Sequence, residues 1–440
     1  MDLLHVLPRR GTRLLAAALA GLLIVGPVAA ADPAQPADGT HTAALRGSLA
    51  HVPADALAPG TSVAWVDLRA VIAARPGAAD PTTTVAFTDA LAADDAASAA
   101  WRAALMGIAS GPVDLLGTLL VAGTDWPAVV GFDPTQLDRL TGFGAPPANG
   151  IVAEGRFSPD AIGAALAARG FVAQAEGAFT RWCSPEGCAA GLAVDLAGRE
   201  PADPFGGRLG RRQPLAVAPD VLLGSADDAT VTAMIAATTG SASAFVHDPY
   251  VAAALAALDA TADGRLLQAE LVRGADVLAD VATLLAPLAD PAAVAGTLAD
   301  LAPGFVAIAP AALILVADGA TADAQVVRIV LVLPSRADAE AAAAVVPARL
   351  RAMPSIVMEA PWADVLARAG VTDVAGRAVP ADDGLGVAVI EIRAPLAGSA
   401  PDAEATRPEP SSRLHGLFVR ALRARDLAWL APALGGPPAG

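Results

Sequence analysis

One unit recurs along this chain: a short apolar run, a Ser or Asp, and then an alanine-rich stretch with helical spacing. Ile151 to Phe157 leads through Ser158-Pro159-Asp160 into such a stretch ending at Ala168. Val221 to Gly224 is followed by Ser225, Asp228 and a helical pattern to Ala237, and Val326 to Leu333 by Ser335, Asp338 and a pattern to Leu350. A Ser at the start of a helix accepts a hydrogen bond from a first-turn amide that has no other partner, and an acid nearby complements the helix dipole. Asp133-Pro134, Asp248-Pro249 and Asp290-Pro291 mark three further starts, because proline lacks only a donor that would be unpaired anyway. Ser62 to Leu68 alternates as a strand does.

These patterns predict an α+β protein with antiparallel sheets backed by alanine-rich helices. The strand-helix-strand-strand order at 151–182 resembles half of a ferredoxin-like unit, and its likeness to the 326 unit suggests two related halves. The expected layout is a signal peptide over 1–31 and a flexible leader over 32–48. An α+β domain follows over 49–245, then a second over 246–430, with a disordered tail at 431–440. Arg413 to Leu430 reads as an amphipathic helix, with Leu414, Leu417, Phe418, Ala421 and Leu422 on one face. The Pro- and Ser-rich stretch Gly398 to Ser412 before it reads as disordered.

The 440 residues allow about two or three domains. Hydrophobic residues make up 55%, enough to build cores, although much of that is alanine. All cationic side chains are arginine, a skew that matches GC-rich coding. With no lysine, a Schiff-base lysine, a phosphate-loop lysine and a lysine general base are all excluded. The net charge is −16; the first 31 residues carry +2, from Arg9, Arg10 and Arg13 against Asp2, so the remainder carries −18. Such a chain is repelled by nucleic acid and by anionic lipid surfaces.

The N-terminus carries an export signature. Arg9, Arg10 and Arg13 precede the uncharged apolar run Leu14 to Val28, and Ala29 and Ala31 stand where a signal peptidase reads small residues. The expectation is an exported protein of the periplasm, cell wall or medium. After signal removal no segment is expected to be integral to the membrane. Cys183 and Cys188, the two cysteines of the chain, fit an oxidising compartment. Ala178 to Trp182 and Gly191 to Asp195 read as two strands joined by a Pro185–Gly187 turn, and a disulfide across that mouth is expected.

Candidate chemistry is sparse. No Gly-x-Ser-x-Gly is present, and Ser225, though between a strand and a helix, lacks the flanking glycines of a nucleophile elbow. Arg208, Arg211 and Arg212 lie among Gly206, Gly207 and Gly210, and together could grip an anionic ligand. Arg413, Arg420 and Arg423 give the last helix a basic face that could meet an anionic surface. The sharpest match is Asp259 to Glu270, which follows the calcium-loop spacing of an EF-hand. Asp259, Thr261, Asp263, the Arg265 carbonyl and Glu270 would hold calcium, with Gly264 at the sharp turn. Against it, Leu267 cannot hold a water, and Leu266 to Val272 also reads as a strand following a turn. The leading reading is therefore a non-catalytic envelope protein that binds a protein partner or a small ligand. A calcium-modulated protein and a hydrolase with a dispersed site are the alternatives.

Overall fold

The structure is a computed structural model that describes residues 40–74, 104–119, 125–285, 291–355, 357–381, 384–396 and 413–435. The expected signal segment, residues 32–39 of the leader, Asp290, the stretch 398–412 and residues 436–440 lie outside the described residues.

Twelve strands form one sheet. They are β1 (Ser62–Asp67), β2 (Leu137–Phe143), β3 (Gly150–Gly155), β4 (Val172–Glu176), β5 (Phe179–Cys183), β6 (Leu215–Val217), β7 (Val221–Ser225), β8 (Arg265–Arg273), β9 (Leu313–Ala320), β10 (Ala324–Leu333), β11 (Asp373–Pro380) and β12 (Gly386–Pro395). Their spatial order is β11-β12-β10-β9-β8-β1-β2-β3-β7-β6-β5-β4, with antiparallel neighbours throughout. The helices that matter below are α1 (Ala43–Leu49), α2 (Leu68–Ala73), α3 (Pro159–Ala168), α4 (Asp228–Thr238), α5 (Pro249–Thr261), α6 (Arg336–Ala352), α7 (Trp362–Arg368) and α8 (Arg413–Arg423).

The connectivity repeats about the central β1–β8 pair. β1 and β8 each lead through a helical segment into a hairpin, β2-β3 or β9-β10. A helix follows, α3 or α6, and then a second hairpin, β4-β5 or β11-β12. In the second half β12 returns beside β10, so β10, α6 and β11 make a split β-α-β unit. In the first half β6 and β7 stand between β3 and β5. The 151–182 stretch therefore does not close into the expected ferredoxin-like half. The sheet also runs unbroken across residues 245 and 246, where a domain boundary was expected, because β1 pairs with β2 on one side and β8 on the other.

Three local expectations need correcting. Residues 40–48 are not a flexible leader: α1 buries Leu45, Ser48 and Leu49, and Thr42 and Arg46 both donate to Asp259 of α5. The spacing of Leu45 and Leu49 gives α1 the apolar face that makes this docking favourable. Residues 431–435 are not a frayed tail. Ala431 is buried, and the carbonyls of Ala433 and Leu434 accept from the amides of Val281 and Ala282. The stretch 191–195 is no returning strand; a 3-10 turn, Cys188–Leu192, follows β5 instead. The disulfide itself is present: Cys183 ends β5 and bonds Cys188, closing the Ser184–Gly187 turn. The caps at Ser158 and Ser335 form as the spacing predicts, whereas α4 is capped by Asp227 and not by Ser225.

Both faces of the sheet are covered over its central strands, whereas the edge strand β4 is exposed. Trp65, Leu271, Leu315 and Val330 belong to one core beneath α1, α4 and α5. Alternation along each strand sends their neighbours to the opposite face. There the apolar residues split into two cores. One holds Val66, Leu140 and Ile151 with α2 and α3; the other holds Ile314, Val316 and Ile329 with α6, α7 and α8. At the centre of the second core Trp362 stacks on Phe418 at 5.3 Å, and Trp429 meets both rings edge-on at 6.2 and 6.0 Å. Removing Trp429 opens a cavity that this rigid cluster cannot refill. Trp429→Ala is expected to lower the free energy of unfolding in urea by about 3–5 kcal/mol; a loss under about 1 kcal/mol would contradict this packing.

Candidate functional site

Between the two cores of that face lies a buried polar strip. β8 supplies Gln268 and Glu270, both facing the same side because they are two residues apart. Gln268 opposes Asp318 of β9, and its Nε2 donates to the Asp318 carboxylate at 3.1 Å. Gln325 of β10 donates to the same carboxylate at 2.8 Å. Gln268 Oε1 accepts from the backbone amides of Ala109 and Ser110 at 2.8 and 3.2 Å. Glu270 is 0% exposed. Its two oxygens take Nε and Nη2 of Arg423 at 2.9 and 2.7 Å, the paired fork geometry that suits guanidinium and carboxylate. Ser110 Oγ donates to Glu270 at 3.1 Å and lies 3.0 Å from His415 Nε2.

The strip thus holds two elements against the sheet: the 107–112 loop and helix α8. Those elements line a cavity of about 650 Å³ that is broadly open to solvent. Its wall is mostly apolar, with Leu105, Met106, Ile108, Leu116 and Val419, and Arg420 and Arg423 supply the charge. Met106 is 76% exposed at this site, whereas Met234 and Met353 are buried in the cores. Gly117 lines the cavity too. The Arg208 guanidinium packs against this glycine, with Nη2 3.3 Å from where a Gly117 Cβ would stand.

Ser110 and His415 sit at the distance of a nucleophile and its base, but their hydrogen bonds run the wrong way. The carboxylate of Glu270 is the stronger acceptor for the serine proton, which leaves His415 Nε2–H to donate to Oγ. His415 Nδ1 has no partner to orient the ring. Burial, helped by the Arg423 charge, pushes the His415 pKa down to about 3, so the ring stays neutral. Ser110 itself is fully buried. This arrangement fastens helix to loop; it does not present a hydroxyl for attack.

The residues expected to bind calcium do not converge. Asp259 lies on α5 and is taken by Thr42 and Arg46. Thr261 Oγ1 donates to the Ala257 carbonyl within α5. Asp263 pairs with Arg328 and Arg393, whose charges and hydrogen bonds hold its carboxyl below the usual range against some burial. Gly264 makes the turn at φ 81°, and Arg265 opens β8. Glu270 belongs to the strip. No cluster of three or more metal-binding side chains occurs among the described residues.

The expected arginine loop is also dispersed. Arg208 reaches Gly117, Arg212 reaches Gly170, and the Arg211 side chain packs beside Gly206. The charge at the cavity comes from Arg420 and Arg423 of the expected basic face, and Arg208 is not among its lining residues. The Arg413 side chain lies outside the described residues. Ser225 is occupied structurally: its Oγ donates to the Asn149 carbonyl and accepts from the Asp227 amide. Gln268, Ser110 and His415 were not singled out from the sequence. The available signals were two polar residues at alternate positions of an apolar strand, and a histidine beside Leu414 on a helix that is apolar on one side.

No family model matches the chain, and no curated protein matches it. Two crystal structures of TP0453 are distantly similar. Form III has a TM-score of 0.32 and 8% identity over 85% of this chain and 98% of that one. Form I has a TM-score of 0.32 and 7% identity over 86% and 98%. So distant a likeness carries no inference about the site.

The buried histidine has a thermodynamic consequence. The unfolded chain protonates His415 near its ordinary 6.5, while the folded chain resists down to about 3. Between those values the unfolded state binds the extra proton, so stability falls as pH falls, by up to about 1.4 kcal/mol per pH unit. His41 and His51, both lowered by burial, add the same sign. The melting temperature is expected to drop between pH 7 and pH 5, and less steeply in His415→Gln; equal slopes for the two proteins would contradict the assignment.

Proposed function

We propose that the protein is an exported, non-catalytic binding protein of the cell envelope, and that the cavity between the 105–117 segment and α8 receives a small ligand. The observation that carries the reading is the cavity itself. Its volume of about 650 Å³ falls within the roughly 300–1,000 Å³ of ligand sites, and its lining is mostly apolar with a few polar groups. The elements around it are fixed by buried hydrogen bonds to the sheet, so the site is formed before a ligand arrives. Export is supported by the N-terminal signal pattern and by the Cys183–Cys188 disulfide. No helix among the described residues is long and apolar enough to cross a membrane. A binding role without catalysis is supported by the direction of the Ser110–Glu270 and His415 hydrogen bonds.

The test is binding of an environment-sensitive apolar dye to the purified chain. Met106→Asp places a charge at the exposed apolar mouth without disturbing a core. It is expected to weaken dye binding at least tenfold while leaving the melting temperature within about 2 °C. Binding unchanged by the substitution would remove the cavity from the function.

A further inference from the structure

We infer that the open edge of the sheet at β4, with the apolar surface beside it, takes an extended peptide strand from another protein. That strand runs antiparallel to β4 and carries a carboxylate at its C-terminal end. The site is separate from the cavity and does not depend on it.

The two edges of the sheet differ. β11 closes one edge with Asp373, Arg377 and Pro380 along it. Charges and proline are the usual guards of an edge against further pairing. β4 closes the other edge without them. Its one charge, Glu176, is taken by Arg181 of β5 at 3.1 Å. Val172, Ala173, Gln174 and Ala175 are all exposed, and the register with β5 runs without a bulge. Gly177 and Ala178 make a two-residue turn, so the flanking pair, Glu176 and Phe179, exchanges both hydrogen bonds. Alternation then commits Val172, Gln174 and Glu176 to β5 and points the N–H and C=O of Ala173 and Ala175 outward. An added strand pairs with such groups.

Apolar surface continues this edge. Seven large hydrophobic side chains are exposed among the described residues, and five of them are Val172, Leu192, Val194, Leu196 and Leu209. Contacts place them at the N-terminal end of β4. Val172 pairs with Cys183, whose disulfide to Cys188 leads into the turn that ends at Leu192. The Asp195 amide, between Val194 and Leu196, donates to the Leu209 carbonyl. Exposed apolar side chains gathered in this way mark a protein-binding surface.

Charge and direction decide the occupant. Arg212 stands at the same end: its Nη1 lies 3.5 Å from where a Gly170 Cβ would be, two residues before Val172, and its carbonyl lies against Gly191. The chain holds 45 acids against 29 cations, yet residues 187–213 hold four arginines against three acids. Two of those acids, Glu200 and Asp203, are already taken by Arg169 at 2.7 and 2.6 Å. A strand antiparallel to β4 brings its C-terminal end across the apolar patch to Arg212, whose fork donates to a carboxylate. A second copy of this chain fits less well. Pairing β4 with β4 about a two-fold axis carries the two apolar patches to opposite ends of the paired strands and leaves both uncovered.

Fluorescence anisotropy of a dye-labelled peptide titrated with the purified full chain tests this. The probe has about ten residues, half to span β4 and the rest to cross the patch. It alternates threonine and valine and ends in aspartate with a free carboxylate. Saturable binding is expected, about fivefold tighter than that of the same peptide ending in threonine amide. The same probe with proline at its two central positions is expected not to bind, because it cannot pair as a strand. Ala175→Pro removes an outward N–H and leaves the bonds to β5 in place; it is expected to weaken binding about tenfold. Arg212→Gln is expected to bring the acid and amide peptides within about twofold of each other. No saturable binding, or equal binding of the proline-containing probe, would overturn the strand. Equal binding of acid and amide by the unaltered chain would overturn the carboxylate end. The chain alone is expected to sediment as a monomer; a dimer lost in Ala175→Pro would overturn the inference in favour of a second copy.

Discussion

Glu270 is a fully buried carboxylate on a central strand of a twelve-stranded sheet, and the architecture around it follows from the need to satisfy that charge. A buried carboxylate left unpaired would cost several kcal/mol. Here Arg423 binds it with two hydrogen bonds and Ser110 with one. Those partners come from segments about 310 residues apart in the chain, Ser110 and Arg423. The pair therefore ties the C-terminal helix and the 107–112 loop to one point of the sheet. Gln268, two residues away, repeats the arrangement with neutral groups by accepting two loop amides. The polar strip interrupts the oil on one face only, and the cavity opens beside the elements it fixes.

Arginine does this work elsewhere in the fold, as expected of a chain without lysine. Arg349, lowered to about 10 by burial, donates to the carbonyls of Val306, Ala428 and Ala431 and stacks over Phe305 at 4.2 Å. That contact closes the segment after α8 over the second core. Arg328, almost wholly buried on the other face, joins Asp263 and Glu391 across three parts of the chain. Planar forks serve such sites better than an ammonium group, because each fixes the direction of two bonds.

Local features were legible in the sequence. The caps at Ser158, Ser335 and Asp248, the strands that precede the first two and the disulfide partners all depend on residues close in sequence. Long-range pairing was not. Nothing near residue 245 announces that β8 will lie against β1, so a continuous sheet was taken for two domains. The repeat of strand, helices, hairpin, helix and hairpin could be glimpsed at 151 and 326, but the β6-β7 insertion was hidden. The calcium spacing at 259–270 illustrates the limit of a motif. Its positions carry the right atoms, yet five residues of extended strand carry Glu270 roughly 16 Å beyond Arg265. A loop that must wrap an ion cannot be half strand.

The central claim is that the Glu270–Arg423 pair holds helix and loop together as one unit beside the cavity. Hydrogen exchange of Glu270→Gln, measured against the unaltered chain, tests it most directly. The account predicts faster exchange for the amides of residues 413–423 and for Ala109 and Ser110 together, with β4 and β5 unchanged. Undiminished protection of α8 in that variant would contradict the account, and would mean that apolar packing alone seats the helix.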